Sequence, residues 1–273
     1  MRRKGIVGCG VALACVLVAI GAIGASSAAA ALPELGRCVK VSGTGEFTRE
    51  NCVAVSKTHT GNYEWAPGPG ANPGVNIRLF SPTLETVTGN KIKCTFVFLE
   101  ESQFTSDKEF KVKKVTMQSC IMVGSNLPCF SNPTEPGTIE STTPLKGELG
   151  FIPGSKTAVP FAGWDLKSES GSSPIIEFFC GEPNAVPIYQ VVLEGSVIGH
   201  VVKTNKMQTT FALKYKQSAG IQIPEAFIGG EKDTLTQLTT PLSNPGAKKT
   251  EQVGLASAGE MVPGEALEIK VKV

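Results

Sequence analysis

Residues 207–216 alternate without a break, and this constrains the fold more than any other stretch. Met207, Thr209, Phe211, Leu213 and Tyr215 fall on one side, and Gln208, Thr210, Ala212, Lys214 and Lys216 on the other. Successive side chains of a strand point to opposite faces, so this period of two predicts a half-buried β-strand within the longer stretch 191–216. Other segments repeat the theme. Leu84 to Leu99 reads as strand, turn at Gly89-Asn90, then strand, with Cys94, Phe96 and Phe98 on one face and Thr95, Val97 and Leu99 on the other. Both faces are apolar, which is the pattern of a central strand. Residues 111–120 read as another strand, and the polar stretch 100–110 as at most one helical turn. The last seven residues also alternate, and a wet face carrying Glu268, Lys270 and Lys272 suits a protected edge strand. The 30 Gly and 18 Pro are spread at short intervals, so strands should be short and joined by turns. The fold expected is all-β, an antiparallel β-sandwich or a partly closed β-barrel.

The N-terminus reads differently. Arg2, Arg3 and Lys4 precede an apolar run over residues 6–23 and then small residues to Ala31, the order of an export signal helix. Ala28, Ala29, Ala30 and Ala31 offer two A-x-A sites, so cleavage is expected after Ala30 or Ala31. As a helix the apolar run would reach about 27 Å, so retention as a membrane anchor is the alternative. The chain thus divides into a signal over residues 1–31 and one domain over 32–273, with 32–82 as a candidate subdomain. Loss of the three basic residues takes the formal charge from +2 to −1, and a near-neutral chain lacks the basic footprint that nucleic acid requires.

Cys9 and Cys15 lie in the signal, leaving Cys38, Cys52, Cys94, Cys120, Cys129 and Cys180. Six cysteines in an exported chain read as three disulfides, with 15 connectivities open to sequence alone. A turn-forming Ser42-Gly43-Thr44-Gly45 predicts a hairpin that brings Cys38 to Cys52. The Gly124-Ser125-Asn126 loop favours Cys120 with Cys129, which leaves Cys94 with Cys180. Zinc is disfavoured, since no C-x2-C occurs and only His59 and His200 are available. Calcium is disfavoured by the scarcity of Asp. No metal ligand and no cofactor are expected.

Catalysis finds little to work with. A nucleophile needs a base, and Ser196 and His200, four apart along a strand, would be about 13 Å from one another. Gly195-Ser196-Val197-Ile198-Gly199 also misplaces the Ser for a nucleophile elbow. Paired Glu carboxylates would serve a glycoside hydrolase, but nothing in the sequence selects a pair. Tyr63 and Trp65, two apart ahead of the Ala66-Pro67-Gly68-Pro69-Gly70 loop, share a strand face. They are the candidate binding residues, as a sugar-stacking platform; pinning the loop to the core is the alternative.

Five segments, Leu32-Pro33-Glu34-Leu35-Gly36-Arg37-Cys38, Tyr63-Glu64-Trp65-Ala66-Pro67-Gly68-Pro69, Leu145-Lys146-Gly147-Glu148-Leu149-Gly150, Gly195-Ser196-Val197-Ile198-Gly199 and Asn205-Lys206-Met207, carry a likeness. In them the chain resembles a family of uncharacterised secreted proteins of soil actinobacteria. The resemblance implies export and no particular activity. The function expected is that of a secreted or cell-surface binding or structural protein without catalysis, with a cell-wall or extracellular glycan as candidate partner. The membrane would enter only through an uncleaved N-terminus. A polysaccharide-acting hydrolase is the alternative.

Overall fold

In the computed structural model the described residues are 33–141, 143–154, 161–171, 174–182 and 187–271, so the segment expected to be a signal and the last two alternating residues lie outside them. Among the described residues twenty strands follow one another: β1 (Glu34–Gly45), β2 (Gly61–Pro67), β3 (Gly74–Thr86), β4 (Lys91–Lys93), β5 (Phe96–Phe104), β6 (Glu109–Val112), β7 (Lys114–Gln118), β8 (Ile121–Met122), β9 (Leu127–Phe130), β10 (Ile139–Ser141), β11 (Leu145–Ile152), β12 (Phe161–Ser168), β13 (Ile176–Cys180), β14 (Tyr189–Glu194), β15 (Ser196–Val201), β16 (Phe211–Ser218), β17 (Ile221–Ile223), β18 (Thr236–Pro241), β19 (Lys249–Pro263) and β20 (Glu268–Lys270). Among the described residues the sole helical element is a 3-10 turn at Pro245–Ala247.

β3 and β19 are the two longest strands, and their antiparallel pair is the spine of the molecule. Two circuits of hydrogen-bonded neighbours close through it. The first runs from β3 through β5, β6, β11, β12, β15 and β16 to β19. The second runs from β3 through β4, β8, β9, β13, β14 and β18 to β19. Every pairing is antiparallel. Closing a sheet on itself removes the unpaired edges that invite aggregation. β3 passes from one circuit to the other at an irregularity opposite Ala256 and Ala258, where Ser81 has φ +46°. An extra residue there bends the strand and resets which side chains face inward. Hence Ile77 and Leu79 are buried before the bend and Leu84 after it.

The first circuit is filled by rings. Trp164 on β12 is 1% exposed and lies 5.0 Å from Phe110 and 6.1 Å from Phe104, centroid to centroid. Gly147 on β11 makes this possible, because a Cβ there would overlap the Phe110 ring. β7 forks from β5 beside β6 and carries β10 as its neighbour, adding Val115, Met117 and Ile139 to the same core. A small separate sheet, ordered β2-β1-β20, joins the two ends of the domain.

Three disulfides form, Cys38–Cys52, Cys94–Cys120 and Cys129–Cys180. The first is the pair expected, although no hairpin forms at 42–45. β1 runs through that tetrad with Gly43 at φ +68°, and the chain returns only as β2. The other two correct the expected pairs Cys94 with Cys180 and Cys120 with Cys129. Cys129 and Cys180 are register partners on β9 and β13, with Cα atoms 4.0 Å apart, and Cys94 and Cys120 follow and precede the paired strands β4 and β8. Strand register brought these sulfurs together over separations of 51 and 26 residues, where spacing along the chain carries no such information.

Three smaller readings also change. The strand expected from Met207 begins at Phe211, the first residue to pair with β19; Gln208 makes an isolated bridge to Leu267. The stretch 100–110 holds the end of β5 and the start of β6, with no helical turn. Cys94 is buried while Phe96 and Phe98 stand on the outer face, so the three do not share a side. The break between β4 and β5 interrupts the alternation there, and a one-residue slip exchanges the faces.

Candidate functional site

The aromatic pair singled out in the sequence lies on β2, and both rings are half-buried. Trp65 packs against Gly36 on β1, where a Cβ would overlap its indole, and the Lys270 ammonium sits 3.9 Å from the ring centroid. A cation held over an aromatic face is attracted by the ring's quadrupole, so this face of Trp65 is already taken by β20. Tyr63 bridges to Phe47, whose own ring lies 6.0 Å from Lys270. The Trp65 ring therefore helps to hold β1, β2 and β20 together, and Tyr63 joins them through its backbone. Glu268, expected on a wet face, is buried beside them; burial pushes its carboxyl up, against the pull of Lys270 and the Trp65 indole.

A different aromatic group stands in the open. On the outer face of the first circuit, β19, β3, β5 and β7 lie side by side, and register aligns Glu260, Arg78, Phe98 and Thr116 in one row across them. Ala258, Phe80, Phe96 and Gln118 form the next row. Phe80 meets Phe96 edge to face at 6.2 Å, and Phe96 meets Phe98 at 5.9 Å. All three rings are partly exposed. The Arg78 guanidinium lies 4.9 Å from the Phe80 centroid and 2.6 Å from Glu260, which fixes it at the margin of the rings. The rows open into a groove of about 420 Å³ lined by Asn76, Arg78, Phe98, Glu100, Glu101 and Glu260 among others. Glu100 lies 3.7 Å from Lys114 and Glu101 lies 3.2 Å from Lys113. Every carboxylate of the groove is thus ion-paired. At its edge the Thr116 hydroxyl is buried without a hydrogen-bond partner.

Sequence reasoning passed over this face, although a signal was present. In β3, Asn76, Arg78 and Phe80 alternate with the buried Val75, Ile77 and Leu79, which puts a phenylalanine on a polar side. Phe96 and Phe98 were read as core because both faces of their strand are apolar.

A third group is covered. Asp165 on β12 has no exposed surface, and its carboxyl is pushed up to about 6, first by burial and then by Asp233. The Lys167 ammonium, 3.2 Å away, and the Ser196 hydroxyl pull the other way without offsetting this. Lys167 also reaches Glu148 at 2.7 Å, and Lys146 reaches it at 2.6 Å. Burial raises the Glu148 carboxyl, yet these two hydrogen bonds win and hold it below the usual range. Ser196 and His200 sit on β15 as expected from their spacing, and nothing brings them together: His200 packs 4.9 Å from the Phe161 ring, between Lys214 and Lys216 in its electrostatics. Burial and those two lysines hold its imidazole below the ordinary value. No cluster of three or more His, Cys, Asp or Glu suited to a metal occurs among the described residues.

Among the described residues no helix is long and apolar enough to cross a membrane. Compared with known proteins, the chain matches no family model, no curated protein and no solved structure.

Proposed function

We propose that this is an exported binding protein of the cell surface or extracellular space, without catalysis, that takes a glycan on the outer face of β19, β3 and β5. The observation that carries the reading is the contiguous, partly exposed row of Phe80, Phe96 and Phe98 beside the charged groove. Partly exposed rings on the outer face of the sheet offer stacking area to the apolar face of a sugar. Arg78, Asn76 and the groove carboxylates offer donors and acceptors for its hydroxyls. Three disulfides support an oxidising compartment, since such bonds persist outside the cytosol. The signal-like N-terminus and the family resemblance point the same way.

A polysaccharide hydrolase is the second reading, since the groove holds three carboxylates. A glycosidase needs one carboxyl kept protonated as acid and a second free to act as base or nucleophile. Here Glu260, Glu100 and Glu101 each face a cation, which favours binding. The test is a glycan array followed by titration of any ligand found. Phe96→Ala and Phe98→Ala should each weaken binding about fivefold or more, by analogy with about 1–3 kcal/mol for a base stacked on an aromatic ring. Retention of full affinity in both variants would remove the face from consideration, and release of new reducing ends would move the protein to the hydrolase class.

A further inference from the structure

Where the two circuits meet, strands from both turn aliphatic side chains toward one place. Alternation along β5 sends Leu99 inward while Phe96 and Phe98 face out, and the bend in β3 sends Leu79 inward ahead of it and Leu84 after it. β13 and β14 add Ile176 and Leu193, which are register partners, and β15 adds Val197. All six are buried, and between them lies a cavity of about 70 Å³. Every residue along its wall is Leu, Ile, Val, Met or Pro, and no polar atom reaches it.

The volume would admit water, but the wall would not hold it. A buried water needs two to four hydrogen-bond partners, and apolar cavities without them stay dry. The wall atoms therefore lack dispersion partners on one side, a cost that any apolar occupant would relieve without breaking a hydrogen bond. The wall cannot easily close the gap itself, because Ile176 and Val197 are β-branched and stiff at χ1. Size limits the occupant further. An engineered apolar cavity of about 150 Å³ takes benzene or xenon, and the cavity here has about half that volume. A sugar, an ion or any group with a polar atom would lose its hydration and gain no partner.

We propose that this cavity is a binding site for one small, uncharged, wholly apolar molecule, of the size of a short-chain hydrocarbon. Its wall comes from both circuits, with Leu79, Leu99 and Val197 on one side and Leu84, Ile176 and Leu193 on the other, so an occupant adds contacts that join them. The site is independent of the phenylalanine face. β5 separates the two, and either can fail without the other.

Methyl-resolved NMR of the purified protein under xenon pressure, with helium at the same pressure as control, tests this. Xenon should give saturable shift changes concentrated at the methyl groups of Leu79, Leu84, Leu99, Ile176, Leu193 and Val197, and helium should give none that saturate. Val197→Ile narrows the cavity by one methylene and should weaken xenon binding about threefold or more. Leu193→Ala enlarges it and should let benzene enter; at about tenfold excess over its Kd, benzene should then raise Tm by about 3–6 °C. Should Leu193→Ala fail to fold, the unsubstituted protein and Val197→Ile decide the matter through xenon alone. Absence of saturable shifts at these methyl groups, or xenon binding indifferent to Val197→Ile, overturns the site. A rise in Tm with benzene as large in the unsubstituted protein as in Leu193→Ala overturns the size assigned to the occupant.

Discussion

The two circuits share β3 and β19 yet are held together by different means. In the first, β11, β12 and β16 have eight residues each, and the interior is packed by Trp164, Phe104, Phe110 and Phe211. None of its strands carries a cysteine. In the second, β4 and β8 have three and two residues, and both disulfides of the large sheet lie on or beside its strands. Long strands bring many cross-strand pairs and a deep apolar face. Strands of two or three residues bring few, and a covalent link substitutes by limiting the unfolded chain. The difference teaches that one continuous sheet is stabilised by packing where its strands are long and by sulfur where they are short.

The sharpest way to break this comparison is Trp164→Ala. Truncating the ring at the centre of the first circuit should lower stability by about 3–5 kcal/mol in urea unfolding. A loss below about 1 kcal/mol would mean that the rings are not what holds that half. Next is removal of Cys129 and Cys180 together, replaced by Ala. The chain-entropy relation for their 51-residue separation gives a loss of about 4 kcal/mol, and measured values run about 2–4. Proteolysis should then begin in β9, β13 or β14, leaving the first circuit protected; early cleavage in β11 or β12 would contradict the division.

A smaller effect concerns charge. The Asp165 carboxyl is raised from 3.8 to about 6 by folding, so the folded protein binds the proton more tightly than the unfolded chain. Its contribution to stability is complete below the unfolded value and is lost as pH rises through about 6. Lowering the pH from 7 to 5 should therefore add about 1 kcal/mol, and Asp165→Asn should flatten this slope. Glu34 and Glu268, also raised chiefly by burial, act with the same sign at lower pH; Glu148 and Glu251 are lowered and oppose it only once the pH falls below their ordinary range. An unchanged slope in the variant would place the proton elsewhere. The smallest effect lies where the circuits meet. An apolar cavity of about 70 Å³ is lined by Leu79, Leu99 and Val197 from one and Leu84, Ile176 and Leu193 from the other. Filling part of it by Val197→Ile should raise stability by about 0.5–1 kcal/mol. A loss of stability would show the junction already tightly packed.

Much of this was legible beforehand. Alternation in the residues of β16 and the Gly89-Asn90 turn between β3 and β4 follow from local sterics and were readable as they stand. Cys38 and Cys52 are close enough in sequence for a short loop to join them. The outward turn of Phe96 and Phe98 was not legible, because a break before β5 decides the face and two apolar faces look alike in sequence. Asp165 was equally opaque: Trp164-Asp165-Leu166-Lys167 reads as an ordinary wet face until a segment more than fifty residues later roofs it.

Period, turn chemistry and cysteine number determined by themselves that this chain is all-β and cross-linked, since each is a property of neighbouring residues. The pairing of Cys94 with Cys120 and Cys129 with Cys180, the closure of two circuits through β3 and β19, and the convergence of Asp165, Ser196 and Asp233 were decided only by tertiary structure. The physical reason is register: which strands lie adjacent, and at what offset, depends on burying the whole apolar surface at once, and no local window of sequence contains that sum.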